Sequence, residues 1–172
     1  MRKEYPTYSR HNGYVLIILY LLSTYSGQTR IPSATPALLT ACRIVTKAEV
    51  EQAIGRVLSE GSEEIEGRAS TCDYNTKLGL VSITLQRLSF QPNLPRQIAA
   101  LKQEIPEGVV RDAPGFSGAF YFDLPGAGTQ LHIINTADGS SAHLMISILG
   151  FGDASQVSGA AAQIARKALS RM

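Results

Sequence analysis

Ala41-Cys42-Arg43-Ile44-Val45-Thr46-Lys47-Ala48-Glu49-Val50, running on to Thr71-Cys72-Asp73-Tyr74, decides the fold, because it holds both cysteines of the chain and its clearest helix start. Thr46 followed by Glu49 is a capping box, in which the hydroxyl takes an orphan backbone N–H and the carboxylate reaches back to the cap's own N–H. The pattern predicts a helix from Lys47. Val50, Ala53, Ile54 and Val57 fall three or four apart on one face, and Gly55 offers a left-handed stop, so the helix is short and one-sided. Cys42 precedes it, and Cys72 sits at the start of a strand. Two cysteines flanking one helix–strand unit in an exported chain read as a disulfide, and closing a loop of this length contributes roughly 3–4 kcal/mol.

Export is read from the N-terminus. Residues 1–13 are polar and carry Arg2, Lys3 and Arg10, Tyr14 to Leu22 is unbroken apolar, and Ser23 to Gly27 is small and polar apart from Tyr25. That is the three-part plan of a signal peptide, and the apolar run is shorter than the about 20 residues a spanning helix needs. Residues 1–26 are therefore expected to be a signal peptide or a short membrane anchor, 27–40 a Ser/Thr/Pro/Ala-rich linker, and 41–172 one domain. Leu39-Thr40-Ala41-Cys42 has the form of a lipobox, but Gln28, Arg30, Pro32 and Pro36 separate it from the apolar run. Acylating Cys42 would also strand Cys72 as a free thiol.

Removing residues 1–26 takes Arg2, Lys3, Arg10 and Glu4 from the 16 basic and 14 acidic side chains and leaves 13 of each. A neutral domain without a basic stripe has no electrostatic hold on a phosphate backbone, so no nucleic-acid partner is expected.

Ser59 to Gly67 packs four glutamates between glycines and reads as a solvated loop without the ligand spacing of a calcium site. Ala69–Asn75 and Leu80–Arg87 alternate as a hairpin with Val81, Ile83 and Leu85 on one face and Ser82, Thr84 and Gln86 on a wet face. Pro95 opens a second helix with an Ile98, Leu101, Ile105 stripe. Phe120, Tyr121 and Phe122 form a third strand, and Thr129–Asn135 and Ala142–Leu149 a fourth and fifth around Asp138-Gly139, the strongest hairpin signal in the chain. Asp153 caps a final Ala-rich helix.

The cysteine, the Val-Thr-Lys-Ala-Glu-Val run, the helix-ending glycine and Cys72-Asp73-Tyr74 before an alternating strand resemble a family of exported bacterial domains of unknown function, many described as lipoproteins. Pro114-Gly115-Phe116-Ser117-Gly118-Ala119-Phe120-Tyr121 and the closing helix around Ile164-Ala165-Arg166-Lys167-Ala168-Leu169 are similar in order to its second half. The resemblance spans about residues 40–172. It implies a fold and an address, and no activity.

Chemistry-bearing residues are few. With Asp138-Gly139 at the centre of a turn, His132 faces Met145 and Ile134 faces His143, which makes His132 and His143 diagonal neighbours on one face, expected to be exposed. They are the only metal candidates, a half-site lacking a certain third ligand, so neither metal nor cofactor is expected. Asp123 is the conceivable third ligand. No Gly-x-Ser-x-Gly elbow occurs, the glycine-rich stretches 115–118 and 126–128 lack phosphate-loop spacing, and nothing brings Asp73 and Asp123 together as a carboxylate pair.

The expectation is an α+β fold with an antiparallel sheet of about five strands and helices mainly on one face, in the order α-β-β-α-β-β-β-α. Its expected role is a secreted or periplasmic non-catalytic binding or envelope-associated domain with an unknown envelope ligand or protein partner. It would use the polar sheet face or a groove beside Phe116–Tyr121. The alternatives are a small hydrolase or metal-dependent enzyme built on His132 and His143, and a membrane-anchored accessory that touches the membrane only through an uncleaved N-terminal segment.

Overall fold

The computed structural model describes residues 39–137 and 140–172. The expected export segment, the expected linker up to residue 38 and Asp138-Gly139 lie outside the described residues. Four helices, α1 (Ala41–Ile44), α2 (Lys47–Ile54), α3 (Leu94–Glu104) and α4 (Ala154–Leu169), accompany seven strands. The strands are β1 (Ser62–Glu66), β2 (Ala69–Asn75), β3 (Leu80–Leu88), β4 (Val109–Asp112), β5 (Ala119–Leu124), β6 (Gly128–Ala137) and β7 (Ser140–Leu149). They form one antiparallel sheet in the order β1-β2-β3-β7-β6-β5-β4.

The expected five-strand sheet and its order are therefore corrected: the chain runs α-α-β-β-β-α-β-β-β-β-α. Both added strands lie at the sheet edges, where sequence pattern is weakest. β1 arises within the acidic stretch read as a solvated loop; all five of its residues are exposed, and its ladder to β2 holds it extended. β4 is four residues against β5. The added helix α1 is one turn whose cap, Thr40, lends only its backbone carbonyl.

Two antiparallel meanders, β1-β2-β3 and β4-β5-β6-β7, join where β3 pairs with β7. After β3 the chain must travel from the middle of the sheet to its far edge. It does so as α3, which puts that helix on the face opposite the others.

The first face carries the main core. Val81, Ile83 and Leu85 of β3, Leu131 and Ile133 of β6, and Leu144, Ile146 and Ile148 of β7 meet Ile44, Val45 and Val50 and the α4 stripe Val157, Ala161, Ile164, Ala165 and Ala168. Small alanines let α4 lie close to the sheet. The capping box forms as expected: the Thr46 hydroxyl accepts from the Glu49 N–H and the Glu49 carboxylate from the Thr46 N–H, and Gly55 closes α2 at a φ of 88°. At the far end Arg171 donates to both Glu49 oxygens, at 2.7 and 2.8 Å, and to the Ile44 carbonyl at 2.7 Å. The chain end is thus tied to α1 and α2.

The second face has its own smaller core. Leu101 and Ile105 from the end of α3 pack on Phe120 and Phe122 of β5, supported by Leu94, Ile98, Val110 and Leu124. Asn93 caps α3 by accepting from the Arg96 N–H at 3.0 Å, and Lys102 closes it by donating to the carbonyls of Pro106 and Gly108. A Cβ at Gly108 would run into the Phe122 ring, so this position needs glycine for the close approach.

Candidate functional site

Cys42 and Cys72 form a disulfide, with their Cα atoms 5.0 Å apart. It fastens α1 to β2 beneath the buried Tyr74, whose hydroxyl donates to the Val45 carbonyl at 2.8 Å. Cys42 is thereby committed, Leu39 packs against the core, and Thr40 is buried. A disulfide-bonded pair points to an oxidising compartment, extracellular or periplasmic. Among the described residues no helix is long and apolar enough to cross a membrane.

The β6–β7 register places His132 opposite Met145 and Ile134 opposite His143, as the turn signal implied. His132 Nδ1 and His143 Nε2 lie 3.1 Å apart in a hydrogen bond, and His132 Nε2 lies 3.3 Å from the Gln130 side-chain oxygen. Phe120 stacks on the His132 ring with centroids 4.7 Å apart. The expected exposure is corrected: both imidazoles are buried. They flank the Phe120 and Phe122 cluster on which α3 packs, so this side of the sheet is not a wet face there. Burial, and then its neighbour His143, hold the His132 ring well below the usual histidine range, and burial pushes His143 down to about 4. Both rings are neutral at pH 7, and each offers one donor and one acceptor.

Asp123 does not join them. It lies on the first face, where Arg111 donates to its carboxylate through Nε and, at 2.9 Å, through Nη2, and the Thr129 hydroxyl donates at 2.6 Å. Asp73, on the second face of β2, is equally remote from it, so the two aspartates form no pair. No three His, Cys, Asp or Glu among the described residues could hold a metal ion together. Two histidines bonded to each other are a poor zinc half-site. Elemental analysis of the purified protein is expected to find much less than one equivalent of zinc, copper or iron, and a chelator should leave its melting temperature unchanged; stoichiometric metal that disappears in His132→Ala would reverse this reading.

The structure does assemble a polar band across the second face. Register aligns Asp73, Ser82, Ser147 and Gln130 in one row over β2, β3, β7 and β6, and Thr71, Thr84, Met145 and His132 in the next. Thr71 and Thr84 share a hydrogen bond of 3.2 Å. Ser82, Ser147 and Gln130 are buried, whereas Thr71, Asp73, Thr84, Gln86 and Met145 form a half-exposed strip beside them. One oxygen of Asp73, Oδ1, is buried without a hydrogen-bond partner. Burial raises the Asp73 carboxyl above the usual carboxylate range, the Ser82 hydroxyl opposes this, and the Glu64 charge adds to it. An orphaned carboxyl oxygen costs stability and suits an incoming donor.

Sequence alternation had assigned Ser82, Thr84 and Gln86 to one face; what it missed was their alignment with Ser147 and Asp73, which needs the β2-β3-β7 order. Both aromatic ends of the Phe116–Tyr121 stretch are drawn into the packing. Phe116 packs against the core under the Arg166 guanidinium, and the buried Tyr121 donates to the Ser158 carbonyl at 3.0 Å. A depression of about 510 Å³ opens between Val109, Asp123–Gly126 and Gly152–Ala154, remote from the histidines. Comparison with protein-family models, with curated proteins and with solved structures gave no match.

Proposed function

We propose that this chain is an exported, non-catalytic binding domain of the cell envelope, secreted or periplasmic, whose ligand lies along the half-exposed strip of Thr71, Asp73, Thr84, Gln86 and Met145. The observation that carries the reading is the orphaned Asp73 oxygen within a cross-strand row of polar side chains. The Asp73 side chain as a whole is half exposed, so a ligand donor on the strip would reach the carboxyl and offset the cost of its buried oxygen. The basic start, the short apolar run and the Cys42–Cys72 disulfide support export, as does the resemblance to exported lipoprotein-like domains. The paired imidazoles support binding over catalysis, since their hydrogen bonds run to each other and to the Gln130 side chain and not to a nucleophile.

The test is an amide NMR titration with a neutral oligosaccharide, a polyamine, a lysine-bearing peptide and a glutamate-bearing peptide. At least one probe should shift Asp73, Thr84, Gln86 and Met145, with affinity at least tenfold weaker in Asp73→Ala. Silence of the strip towards every probe would refute the assignment.

A further inference from the structure

β1 is an outer strand of the sheet, and apart from Ile65 its side chains do not favour a strand: glutamate is depleted in strands, and no β1 residue is buried. It is held by its ladder to β2 and by Glu63, whose carboxylate accepts from the Cys42 N–H at 3.2 Å and the Ser70 hydroxyl at 3.3 Å. That leaves an outward row of N–H and C=O groups with no strand partner among the described residues.

Natural edges of this kind are shielded by charged side chains, lysine above all, by proline or by a covering element. β1 contains neither residue, and its charge is of one sign. The carboxylates of Glu64 and Glu66 make no hydrogen bond or ion pair with a described residue, and between them Ile65 is 54% exposed. The Lys47 ammonium reaches Glu60 at 3.2 Å, before the strand begins. Register puts Glu64 and Glu66 on the face of Asp73 and turns Ile65 to the other. Such an edge repels a second copy of itself, because the glutamates would meet glutamates, and it attracts a strand of opposite charge.

We propose that β1 is a docking edge for an extended segment of another protein that alternates cationic and apolar residues and adds to the sheet as an outer strand. Its cationic side chains lie over Glu64, Glu66 and Asp73, and an apolar one lies against Ile65. Backbone hydrogen bonds supply affinity in such strand addition, and alternate side chains supply the selection. A cation at this place also relieves the crowding of Glu64 on the Asp73 carboxyl. The inference rests on the binding-domain reading and names the class of partner.

The probe is a seven-residue peptide alternating lysine and valine, titrated into the isotope-labelled protein. Amide shifts should concentrate in Ser62–Glu66 and reach Asp73. Glu64→Gln with Glu66→Gln should weaken binding at least tenfold without moving the melting temperature, and a peptide N-methylated at alternate backbone nitrogens should not bind. Equal binding by the N-methylated peptide, or no β1 shifts at millimolar peptide, overturns the docking edge. If β1 stays silent while another probe shifts Thr84, Gln86 and Met145, the docking edge fails and the binding domain stands.

Discussion

Replacing Cys42 and Cys72 together with alanine is expected to lower the melting temperature by on the order of 10 °C, and reduction of the wild-type protein should do the same. The bridge spans a sequence separation of 30. Cross-linking a loop of that length removes roughly 3–4 kcal/mol of chain entropy from the unfolded state, against a total stability of about 5–15 kcal/mol for a typical domain. For a domain of this size each kcal/mol moves the midpoint by about 3–4 °C. Local structure gives little compensation, since α1 is a single turn and no isolated helix of that length is stable in water. Releasing it also loosens Ile44 and Val45, both fully buried, and the Arg171 bridge to the Ile44 carbonyl. Cys72→Ser should fall at least as far as the double alanine variant, because it adds a hydroxyl to a fully buried site beside Tyr74. Scanning calorimetry with and without reductant reads the effect directly. A reduced wild-type protein melting within a degree or two of the oxidised one would show that the bridge constrains nothing the fold needs.

What the sequence made legible follows where local signals agree with tertiary ones. Thr46 and Glu49 satisfy orphan groups within one turn, so α2 was readable without knowing its neighbours. The β6–β7 pairing was readable because a two-residue turn fixes register, and register assigned Leu131, Ile133, Leu144, Ile146 and Ile148 to the core face. β1 was not, because Ser62-Glu63-Glu64-Ile65-Glu66 lacks strand propensity and burial; its conformation comes from β2 and from Glu63 bonds to residues far along the chain. The burial of His132 was missed for a related reason. Phe120 and Phe122 flank Tyr121, so one face of β5 had to bury two phenylalanines while the other took the tyrosine. That pattern, with the Ile98, Leu101 and Ile105 stripe of α3, was the available sign that the sheet is covered on both sides. The row from Asp73 to Gln130 depends on β3 meeting β7, a pairing between distant strands that no turn residue specifies.

Between pH 7 and pH 4 the protein is expected to lose about 3 kcal/mol of stability through His143 alone, with His132 adding to the loss. In the folded protein His143 is held down to about 4 and His132 well below the ordinary range, by burial in both cases. An unfolded histidine titrates near 6.5. As the pH falls through that value the unfolded chain binds protons that the folded protein refuses, so stability is complete above about 6.5 and drains away below it. The His143 contribution stops falling once the pH passes its folded value. Carboxyls act in the lower part of this range with opposite signs, Asp73 being raised and Glu49, Glu63 and Asp123 lowered. Asp73, raised chiefly by burial, takes up its proton before an unfolded aspartate does and returns some stability as the pH drops. Glu49, lowered to about 2 chiefly by its bond from Arg171, gives up its contribution only below the unfolded glutamate value. Acid sensitivity starting near pH 6.5 therefore belongs to the imidazoles and not to the carboxylates. Urea unfolding midpoints at pH 7.5, 6.0, 5.0 and 4.5 test this against a variant carrying His132→Phe and His143→Met, which removes both members of the hydrogen bond and keeps the volume filled. The variant strips the buried Gln130 oxygen of its partner and should start somewhat below wild type at pH 7.5, but its midpoint should fall less between pH 7.5 and pH 5, because it has no buried imidazole to protonate. Midpoints of the two proteins that decline in parallel across the series would mean that the folded imidazoles take up protons as readily as unfolded ones, and would remove them from the account of acid stability.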